Sequence, residues 1–594
     1  MTEATITHKT GEAKKLAKIH YQIAMSEPQS HLFEVTLTVT NWQQSELNLK
    51  MPVWTPGSYL VREYARQIQN FTVENGINRQ PLVSQKISKN HWQILTVNIS
   101  EIVVRYRVYA NELSVRTNHL DATHGYFNGA ALFLFIPGYE QKPLQIEIIP
   151  PQTDWQVTTT LPLVPGTSNI FISPDFDTLV DSPFEIGKQK IYNFEVLEKP
   201  HQLAIWGQGN IDPQRLIEDT KKIIQVEADL YGGLPYERYL FLLHLTANNY
   251  GGLEHKESCS LIYNRFGFRT QEKYERFIQL VAHEFFHLWN VKRIRPIELE
   301  KFDYEQENYT TSLWFCEGTT SYYDLLIPCW AGIYNQTTFL DAISKDITRL
   351  QTIPGRKVQS LSESSFDAWI KLYRRELHSD NNQISYYLKG EIVSLLLDLL
   401  IRAKHNNQRS LDDVMVYMWE HFGKPEIGYT SEQLKSVIES VAQTDLTKFF
   451  HHCLDTTQEL PFEDYLQPFG LRLSIVNEDK GTPHLGIKVK VENGKSIINF
   501  VEAGSPAELA GINSKDELLA LNGVRVNASS LKERLQDYQP GDSIDMTIFH
   551  ADELKTYQVT LGESQPSKYQ LVKVDKPRES QKELLAGWLE TRIN

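Results

Sequence analysis

The first third of the chain alternates between apolar and polar positions with a period of two. Residues 33–39 (FEVTLTV) and 103–109 (VVRYRVY) show this pattern most clearly, and proline, glycine and asparagine interrupt it between the runs. Successive side chains of a strand point to opposite faces of a sheet, so the pattern predicts half-buried strands. We therefore expect an antiparallel β-sandwich domain over residues 1–190.

The pattern changes twice more along the chain. Residues 239–245 (YLFLLHL) form another strand-like run, and after about residue 270 apolar positions recur at helical spacing, as in 392–401 (IVSLLLDLLI). Residues 191–465 are thus predicted to form a mixed β and helical domain. Residues 466–565 return to short strands with one helix. The tail, residues 566–594, is predicted to form a helix that docks back onto another domain, and the fold class is multidomain α+β.

The helical part contains the segment 283–287 (HEFFH), in which two imidazoles lie one helical turn apart with a carboxylate beside them. In such an HExxH arrangement His283 and His287 bind a metal and Glu284 acts as the general base. Apolar residues on both sides recur at spacings of one, three and four, which places the motif in a buried helix.

Zinc held by two histidines needs a third protein ligand and leaves its fourth position to water. Our candidate is Glu317, in the aromatic-rich segment 314–323 (WFCEGTTSYY), which is typical of a second buried helix. Taken alone, a glutamate in such a helix is as readily explained as a capped or ion-paired residue. Asp324 is a candidate partner for one of the histidine rings, although a surface acid is the simpler interpretation.

Further segments carry a resemblance to a known family. They are GGLEH at 251–255, SYYLKG at 385–390, HEFFHLWNVKRIRP, WFCEGTTSYY and, near the start, PVWTPGSYLVREY. With them, nearly the whole chain resembles the glycyl aminopeptidase family of gluzincin zinc metallopeptidases. The resemblance implies a thermolysin-like catalytic domain and a C-terminal PDZ domain.

The resemblance also implies how a substrate is held at its amino end. Glu254 would bind the free amino group of the substrate, with Gly251, Gly252 and His255 beside it. His255 stands where better-known aminopeptidases carry asparagine, which implies a differently built amine pocket. A preference for small N-terminal residues, glycine or alanine, is what the family implies.

Two neighbouring tyrosines are candidates for the reaction itself. Tyr387, in the YLKG segment, is implied by the resemblance to donate a hydrogen bond to the tetrahedral intermediate, and Tyr386 is the alternative donor. Cys316, next to Glu317, is interpreted as a buried filler residue.

The segment 484–489 (HLGIKV) resembles the carboxylate-binding loop of a PDZ domain. Leu485, Gly486 and Ile487 would then bind the C-terminal carboxylate of a peptide that adds as a strand beside them. The alternative is a PDZ-like module whose groove is closed by docking on its own peptidase domain.

Length, charge and cysteine content indicate which classes of partner and which location to expect for this chain. The 594 residues are too many for one core, and a net charge of -14 without a lysine-arginine run argues against a nucleic-acid surface. Residues 1–25 hold no apolar stretch long enough for a signal peptide or membrane anchor. The four cysteines form no CxxC or disulfide-rich spacing. We expect a cytoplasmic protein that binds neither nucleic acid nor membrane.

The leading hypothesis is a zinc aminopeptidase with one Zn²⁺ per chain that acts on peptides with a free N-terminus. Zinc lowers the pKa of its bound water towards about 7, and Glu284 would take the proton. One alternative is a PDZ-guided zinc endopeptidase, which docks the C-terminus of a protein substrate on its PDZ domain and cuts elsewhere in that substrate. Another is a peptide-binding scaffold without catalysis, against which the intact set His283, Glu284, His287 and Glu317 argues.

Overall fold

The computed structural model describes residues 17–476 and 481–592. The expectation that no signal peptide is present concerns residues 1–25, of which residues 1–16 lie outside the described part. Within the described part of the chain, no helix combines the length and apolar character needed to cross a membrane.

The N-terminal part is built from strands, as the alternating pattern predicts. The strands are β1 Lys18–Ala24, β2 Leu32–Thr40, β3 Glu46–Lys50, β4 Ile68–Asn75, β5 Ser84–Ser88, β6 His91–Leu95, β7 Glu101–Tyr109, β8 His119–Leu120, β9 His124–Phe127, β10 Leu144–Ile149, β11 Gln156–Thr158, β12 Ile170–Ser173 and β13 Phe184–Gly187, with the short helix α1 Phe176–Val180 before the last strand.

These strands form a large sheet, ordered β12-β10-β1-β2-β7-β4, and two smaller ones, β11-β13-β9-β8 and β3-β6-β5. Every second residue of β2 is buried, which is the alternation seen in the sequence. The large sheet is not purely antiparallel, because β1 and β10 pair in parallel. Apolar faces of the sheets enclose one hydrophobic core.

The catalytic part begins with a second kind of sheet. Its strands are β14 Lys190–Val196, β15 Lys199–Trp206, β16 Tyr239–Thr246, β17 Gly251–Glu254 and β18 Ser258–Asn264, in the order β14-β15-β16-β18-β17. All residues of β16 are buried, because it pairs in parallel with a strand on each side and is covered on both faces. Strand β17 lies at the edge, antiparallel to β18.

Helices supply the rest of the catalytic part. They are α2 Pro213–Tyr231, α3 Gln271–Phe286, α4 Thr319–Trp330, α5 Gln336–Gln351, α6 Leu361–Phe366, α7 Ser379–Asn382, α8 Tyr386–His405, α9 Leu411–Met418, α10 Ser431–Ala442, α11 Thr447–Phe450 and α12 Phe462–Leu466. Helix α3 carries the HExxH segment, and it packs against α4 and the edge strand β17.

The C-terminal part returns to strands. Its elements are β19 Leu471–Val476, β20 Ile487–Glu492, β21 Lys495–Val501, α13 Pro506–Leu509, β22 Glu517–Leu521, β23 Val524–Arg525, α14 Leu531–Leu535, β24 Ser543–His550, β25 Glu553–Thr560, β26 Lys568–Lys573 and α15 Glu579–Leu589. One sheet has the order β20-β21-β22-β24-β25, with β20 at its edge. Strand β19 pairs instead with β26, and this pair packs on α5.

Helix α15 packs against the catalytic part. Trp588 is fully buried, and its indole N–H donates a hydrogen bond of 2.8 Å to the hydroxyl of Tyr322. In return, the indole N–H of Trp330 donates to the carbonyl of Trp588 at 2.9 Å. The predicted fold class is confirmed: a β-rich N-terminal domain, a mixed catalytic domain and a C-terminal PDZ domain follow one another along the chain.

Candidate active site

Three side chains bring their donor atoms together at the end of α3. Nε2 of His283 lies 3.0 Å from Nε2 of His287. Oε2 of Glu317 lies 3.5 Å from the former nitrogen and 3.2 Å from the latter. The residues predicted to bind the metal therefore converge on one point, although thirty positions separate His287 from Glu317 in the sequence.

A local irregularity positions the third of these residues. Glu317 belongs to a π-helical turn, Trp314–Gly318, that runs directly into α4. Such turns are rare and often occur at functional sites. Gly318 packs on Gly390 of α8, where a Cβ on Gly318 would come within 2.5 Å of the Gly390 backbone. This close approach holds the turn against α8, which carries Tyr386 and Tyr387 at its start.

The second nitrogen of each histidine ring has a hydrogen-bond partner. Nδ1 of His283 lies 2.8 Å from Oδ2 of Asp324, and Nδ1 of His287 lies 2.8 Å from the carbonyl of Asn290. A carboxylate and a carbonyl only accept, so both rings donate from Nδ1 and leave the Nε2 lone pair free for a metal. Asp324 thus contacts His283, and the simpler interpretation of it as a surface acid is not what the structure shows.

The donor set fits zinc. Two imidazole nitrogens and one carboxylate oxygen with a further position left open are typical of catalytic zinc sites. The carboxyl of Glu317 stays ionised in this setting. Burial alone would raise its pKa, but the attraction and hydrogen bonds of His287 and His283 outweigh burial and lower the pKa to about 2. One carboxylate and two imidazoles are ligands that suit a divalent cation.

Glu284 is buried beside the ligands and has an unused acceptor atom. Its Oε2 has no hydrogen-bond partner within the described part of the chain. Burial raises the pKa of this carboxyl to about 7, against the opposing attraction of His283 and His287. Gly252 of β17 lies against it, so close that a Cβ on Gly252 would fall 2.1 Å from Oε1. The glycine at this position lets the edge strand approach the carboxylate.

Glu254 ends the same edge strand. Its side chain is almost fully buried, yet no residue in ranges 17–476 and 481–592 gives it a hydrogen bond or ion pair. Gly57 of the N-terminal domain, at φ +83°, lies against it, and a Cβ there would come within 2.4 Å of Oε1. An unpaired buried carboxylate is costly unless a cation joins it. The arrangement therefore suits a positively charged group of a substrate.

A small cavity opens beside Glu254. Its volume is about 10 Å³, and its walls include Trp54, Tyr59, Gly57 and Phe302. A cavity of this size holds about one water molecule. The aromatic walls are fixed by further contacts: the indole N–H of Trp54 donates to the carbonyl of Asp303 at 2.7 Å.

Three tyrosines lie together on the other side of the ligands. The ring of Tyr387 stacks near that of His283, with 6.3 Å between ring centres, and its hydroxyl lies 2.8 Å from that of Tyr373. Tyr386 is fully buried behind Tyr387, and its hydroxyl reaches Tyr373 at 3.5 Å. Burial raises the pKa of the Tyr387 hydroxyl, and nearby Glu317 raises it further, so the group remains a hydrogen-bond donor.

His255 lies apart from this cluster. Its Nδ1 is 3.2 Å from Oδ1 of Asp181, and the ring lines a separate cavity of about 1240 Å³ rather than the small one beside Glu254. Its role in an amine pocket remains a prediction. Cys316 is fully buried, and burial raises the pKa of its thiol, which fits a filler residue.

Sequence reasoning missed three residues at the site. Gly57 belongs to a segment that carried the family resemblance, so a signal existed, but its contact with Glu254 was not foreseen. Tyr373 and Arg116 stand in no motif. Arg116 comes from the N-terminal domain, and its Nη2 donates a hydrogen bond of 2.9 Å to the carbonyl of Gly252.

The predicted PDZ loop precedes the edge strand β20. The carbonyl of Gly486 accepts from the backbone of Glu502 at 2.8 Å and that of Leu485 from Ala507 at 3.1 Å. Neither Leu485 nor Gly486 donates its own backbone N–H to another backbone group of the described residues. Ile487 opens β20, which has no strand on its outer side.

Together these features define the class of HExxH zinc metallopeptidases. Residues 20–188 match the family described as Peptidase M61 N-terminal domain, residues 276–393 match M61 glycyl aminopeptidase, and residues 483–561 match the PDZ domain. The solved structure of an aminopeptidase N family protein from Idiomarina loihiensis is 31% identical with a TM-score of 0.90, over 96% of this chain and 100% of that one. The chain belongs to the M61 glycyl aminopeptidase family, and it is accordingly a zinc metallopeptidase of the aminopeptidase class.

A more distant structure is the M1 zinc metallopeptidase from Deinococcus radiodurans. It is 11% identical with a TM-score of 0.47, over 75% of this chain and 94% of that one. Among curated proteins, none matches the chain significantly.

Proposed function

We propose that the protein removes small residues, glycine and alanine first, from the free N-terminus of peptides. The observation that carries this proposal is the unpaired, buried carboxylate of Glu254 at the end of the edge strand that borders the metal ligands. A substrate α-ammonium group bound there fixes the cleaved bond one residue from the N-terminus. Cleavage at a fixed distance from the N-terminus distinguishes an aminopeptidase from an endopeptidase.

His283, His287 and Glu317 would hold one zinc ion. When bound, zinc polarises the scissile carbonyl and lowers the pKa of a water molecule towards about 7. Glu284 accepts the proton of the attacking water on its unpartnered Oε2 and then passes it to the leaving amine. Asp324 and the Asn290 carbonyl keep the two imidazoles in the tautomer that points Nε2 at the ion.

We propose one zinc ion rather than two because a second buried cluster of possible ligands is already hydrogen-bonded within itself. His124, Glu185 and His244 also bring possible ligand atoms together. There, each carboxylate oxygen of Glu185 already bonds to one ring, at 3.0 Å to His124 and 2.8 Å to His244. The carboxylate is thus fully used within the protein, whereas Glu317 faces two free nitrogens.

Tyr387 donates a hydrogen bond to the oxyanion that forms on the scissile carbonyl. Its ring packs near His283, and its neighbour Tyr373 holds the hydroxyl in place through the 2.8 Å contact. Tyr386 lies one layer deeper, fully buried, and supports Tyr387 by ring stacking at 4.7 Å. A preorganised donor of this kind typically contributes about a hundredfold to a thousandfold in rate.

The preference for small residues follows from the space beside Glu254. The side chain of the first substrate residue would enter the cavity of about 10 Å³ lined by Trp54 and Tyr59. Hydrogen or methyl fits a space for about one water molecule, and larger side chains need the aromatic walls to move. Glycine and alanine are therefore favoured over leucine.

A zinc endopeptidase guided by the PDZ domain is the second candidate. The observation that favours it is that β20 has no strand on its outer side, and that the backbone N–H groups of Leu485 and Gly486 donate to no other backbone group of the described residues. A peptide C-terminus would add as a strand there and place its carboxylate on the loop. The buried carboxylate of Glu254 favours the aminopeptidase, because an internal peptide bond brings no cation to it.

The four cysteines support a cytoplasmic location. Cys259, Cys316, Cys329 and Cys453 are all buried and unpaired. A reducing compartment keeps thiols in this state.

The test is hydrolysis of glycyl, alanyl and leucyl arylamides by the zinc-loaded protein and by Glu284→Gln. We expect glycyl and alanyl substrates to be cleaved faster than leucyl, and the variant to lose at least about a hundredfold in kcat while it retains zinc. Faster cleavage of the leucyl substrate would overturn the size preference. If the protein binds a full equivalent of zinc but cleaves none of these substrates, the result would favour the peptide-binding scaffold without catalysis.

A further inference from the structure

Two arginines of the N-terminal domain lie near each other, and one of them contacts the edge strand β17. Arg116 donates from Nη2 to the carbonyl of Gly252 at 2.9 Å, and the hydroxyl of Tyr64 donates to the backbone carbonyl of Arg116 at 2.8 Å. Arg62 donates from Nη2 to the hydroxyl of Ser58 at 3.1 Å. Both guanidinium groups are thus held in place by neutral oxygen atoms.

Neither arginine is in direct contact with a carboxylate of the described residues, although the pKa of Arg116 is raised: burial lowers it, but Tyr373, Tyr387 and the carboxylates of Glu284 and Glu254 outweigh burial. Nε of Arg62 and Nε of Arg116 are both buried without a hydrogen-bond partner, and neither side chain forms an ion pair within residues 17–476 and 481–592. Burial lowers the pKa of Arg62, and the positive charge of Arg116 lowers it further. Two neighbouring cations withdrawn from water repel each other, and an anion in direct contact with both would stabilise them.

A cavity of about 490 Å³ opens at Arg62. Its charged walls are three arginines and one glutamate, namely Arg62, Arg66, Arg374 and Glu112, so its charge is positive overall. Tyr373 also lines it, and the hydroxyl of Tyr373 contacts that of Tyr387. The cationic cavity therefore adjoins the tyrosines of the active site.

The distance along the edge strand β17 determines the length of a peptide substrate whose C-terminal carboxylate would reach Arg116. A peptide whose amino group binds Glu254 and whose backbone follows β17 runs back towards Gly252 and Gly251, where Arg116 lies. A strand rises about 3.3 Å per residue, so Gly252 is about 7 Å and Gly251 about 10 Å from Glu254. Those lengths correspond to a dipeptide and a tripeptide, whose C-terminal carboxylates would end beside Arg116.

We propose that Arg116 and Arg62 form a subsite for the C-terminal carboxylate of dipeptide and tripeptide substrates. The carboxylate occupies the space between Tyr373 and Tyr387 and the cationic cavity, and it supplies the direct ion pair that the two guanidinium groups lack. Short free peptides are then the preferred substrate class. This inference rests on the proposed aminopeptidase function and adds the other end of the substrate to it.

The experiment compares a free tripeptide such as Ala-Ala-Ala with its C-terminal amide. Charge-assisted hydrogen bonds predict that kcat/KM of the wild type for the free acid exceeds that for the amide by about tenfold to a hundredfold. In Arg62→Gln and in Arg116→Gln this ratio should fall towards one. Arg107→Gln, an exposed residue paired with Glu34, is the control and should keep the wild-type ratio.

Equal wild-type kcat/KM values for acid and amide would overturn the subsite, and this comparison needs no variant. A ratio that survives in both arginine variants would overturn it as well. If Arg116→Gln lowers both substrates equally, Arg116 only holds β17 in place, and its part in the subsite is refuted. Alanyl arylamide, which has no carboxylate, distinguishes failure of the subsite from failure of the proposed function. If it is cleaved but the tripeptide acid is not preferred over the amide, only the subsite is refuted. If it is not cleaved, the proposed aminopeptidase function is refuted.

Discussion

Gly57 of the N-terminal domain lies directly against the carboxylate of Glu254 in the catalytic domain. A Cβ on Gly57 would come within 2.4 Å of Oε1 and 2.7 Å of Oε2. The N-terminal domain therefore forms one wall of the proposed amine site, together with Trp54 and Tyr59 from the same loop. Under the proposed function, this domain takes a direct part in substrate binding.

Replacement of Gly57 by alanine should displace Glu254 and weaken substrate binding. We expect kcat/KM for glycyl arylamide to fall by about a hundredfold, because misplacement of a binding group by about 1 Å has effects of that size. The control is Gly138→Ala, which has the same backbone strain at φ +82° but no atom within 4 Å of the new Cβ. Equal losses in the two variants would mean that backbone strain alone is responsible.

Removal of the Tyr387 hydroxyl should slow the chemical step. Tyr387→Phe is expected to lower kcat by about a hundredfold to a thousandfold with little change in KM, since the donor acts on the transition state. Tyr386→Phe is the matched control, because its hydroxyl is fully buried and contacts Tyr373 at 3.5 Å. Steady-state kinetics of both variants show which hydroxyl acts on the transition state. A large loss of kcat in Tyr386→Phe with little loss in Tyr387→Phe would assign the role to Tyr386.

Asp324 should set the affinity for zinc. Loss of a carboxylate that orients a metal-binding histidine typically weakens binding by about tenfold to a hundredfold. We expect that loss in Asp324→Asn, measured by competition with a chelator, whereas Asp341→Asn at an exposed position of α5 should bind as the wild type does. Unchanged affinity in Asp324→Asn would show that the 2.8 Å contact with His283 has no bearing on the metal.

Glu185 should stabilise the junction between the N-terminal and catalytic domains. Burial raises the pKa of its carboxyl, but the attraction and hydrogen bonds of His124 and His244 lower it to about 2. The unfolded value is about 4.3, so the stabilisation is complete above that pH and is lost as the pH falls from about 4.3 to about 2.

Glu185→Gln removes this charge and should lower the free energy of unfolding at pH 7 by about 2 kcal/mol. The difference between wild type and variant should shrink as the pH drops below about 4.3, because the carboxyl then takes up a proton in the unfolded wild type while it stays charged in the folded protein down to about pH 2. Thermal unfolding of both proteins from pH 7 to the acid limit of folding measures it. A difference that grows in acid would contradict the assignment of charge to Glu185.

Much of the architecture could be predicted because local patterns determine it. The alternation in β2 and the long apolar run of β16 reflect burial on one face and on two faces, which sequence alone reveals. The HExxH segment lies on one helix, so its spacing is also a local property. Glu317 was accessible to reasoning because a third ligand was required and the segment 314–323 offered it.

Contacts between distant segments could not be predicted in this way. Nothing in the spacing of Gly57 and Glu254, or of Arg116 and Gly252, encodes that the two domains meet there. The parallel pairing of β1 with β10 likewise depends on how the chain closes its sheet rather than on either strand. The π-helical turn at Glu317 packs through Gly318 on Gly390 of α8, and this tertiary contact is likewise not encoded in the local sequence.

The central claim is that Glu254 binds a free α-amino group. Its most direct test is hydrolysis of a tripeptide such as Gly-Gly-Phe beside its N-acetylated form, by zinc-loaded wild type, Glu254→Gln and the control Glu257→Gln. Wild type and control should cleave the free peptide after its first residue at least about a hundredfold faster than the acetylated one, and Glu254→Gln should lose that difference. Cleavage of the acetylated peptide by the wild type at a comparable rate would contradict the claim and establish an endopeptidase.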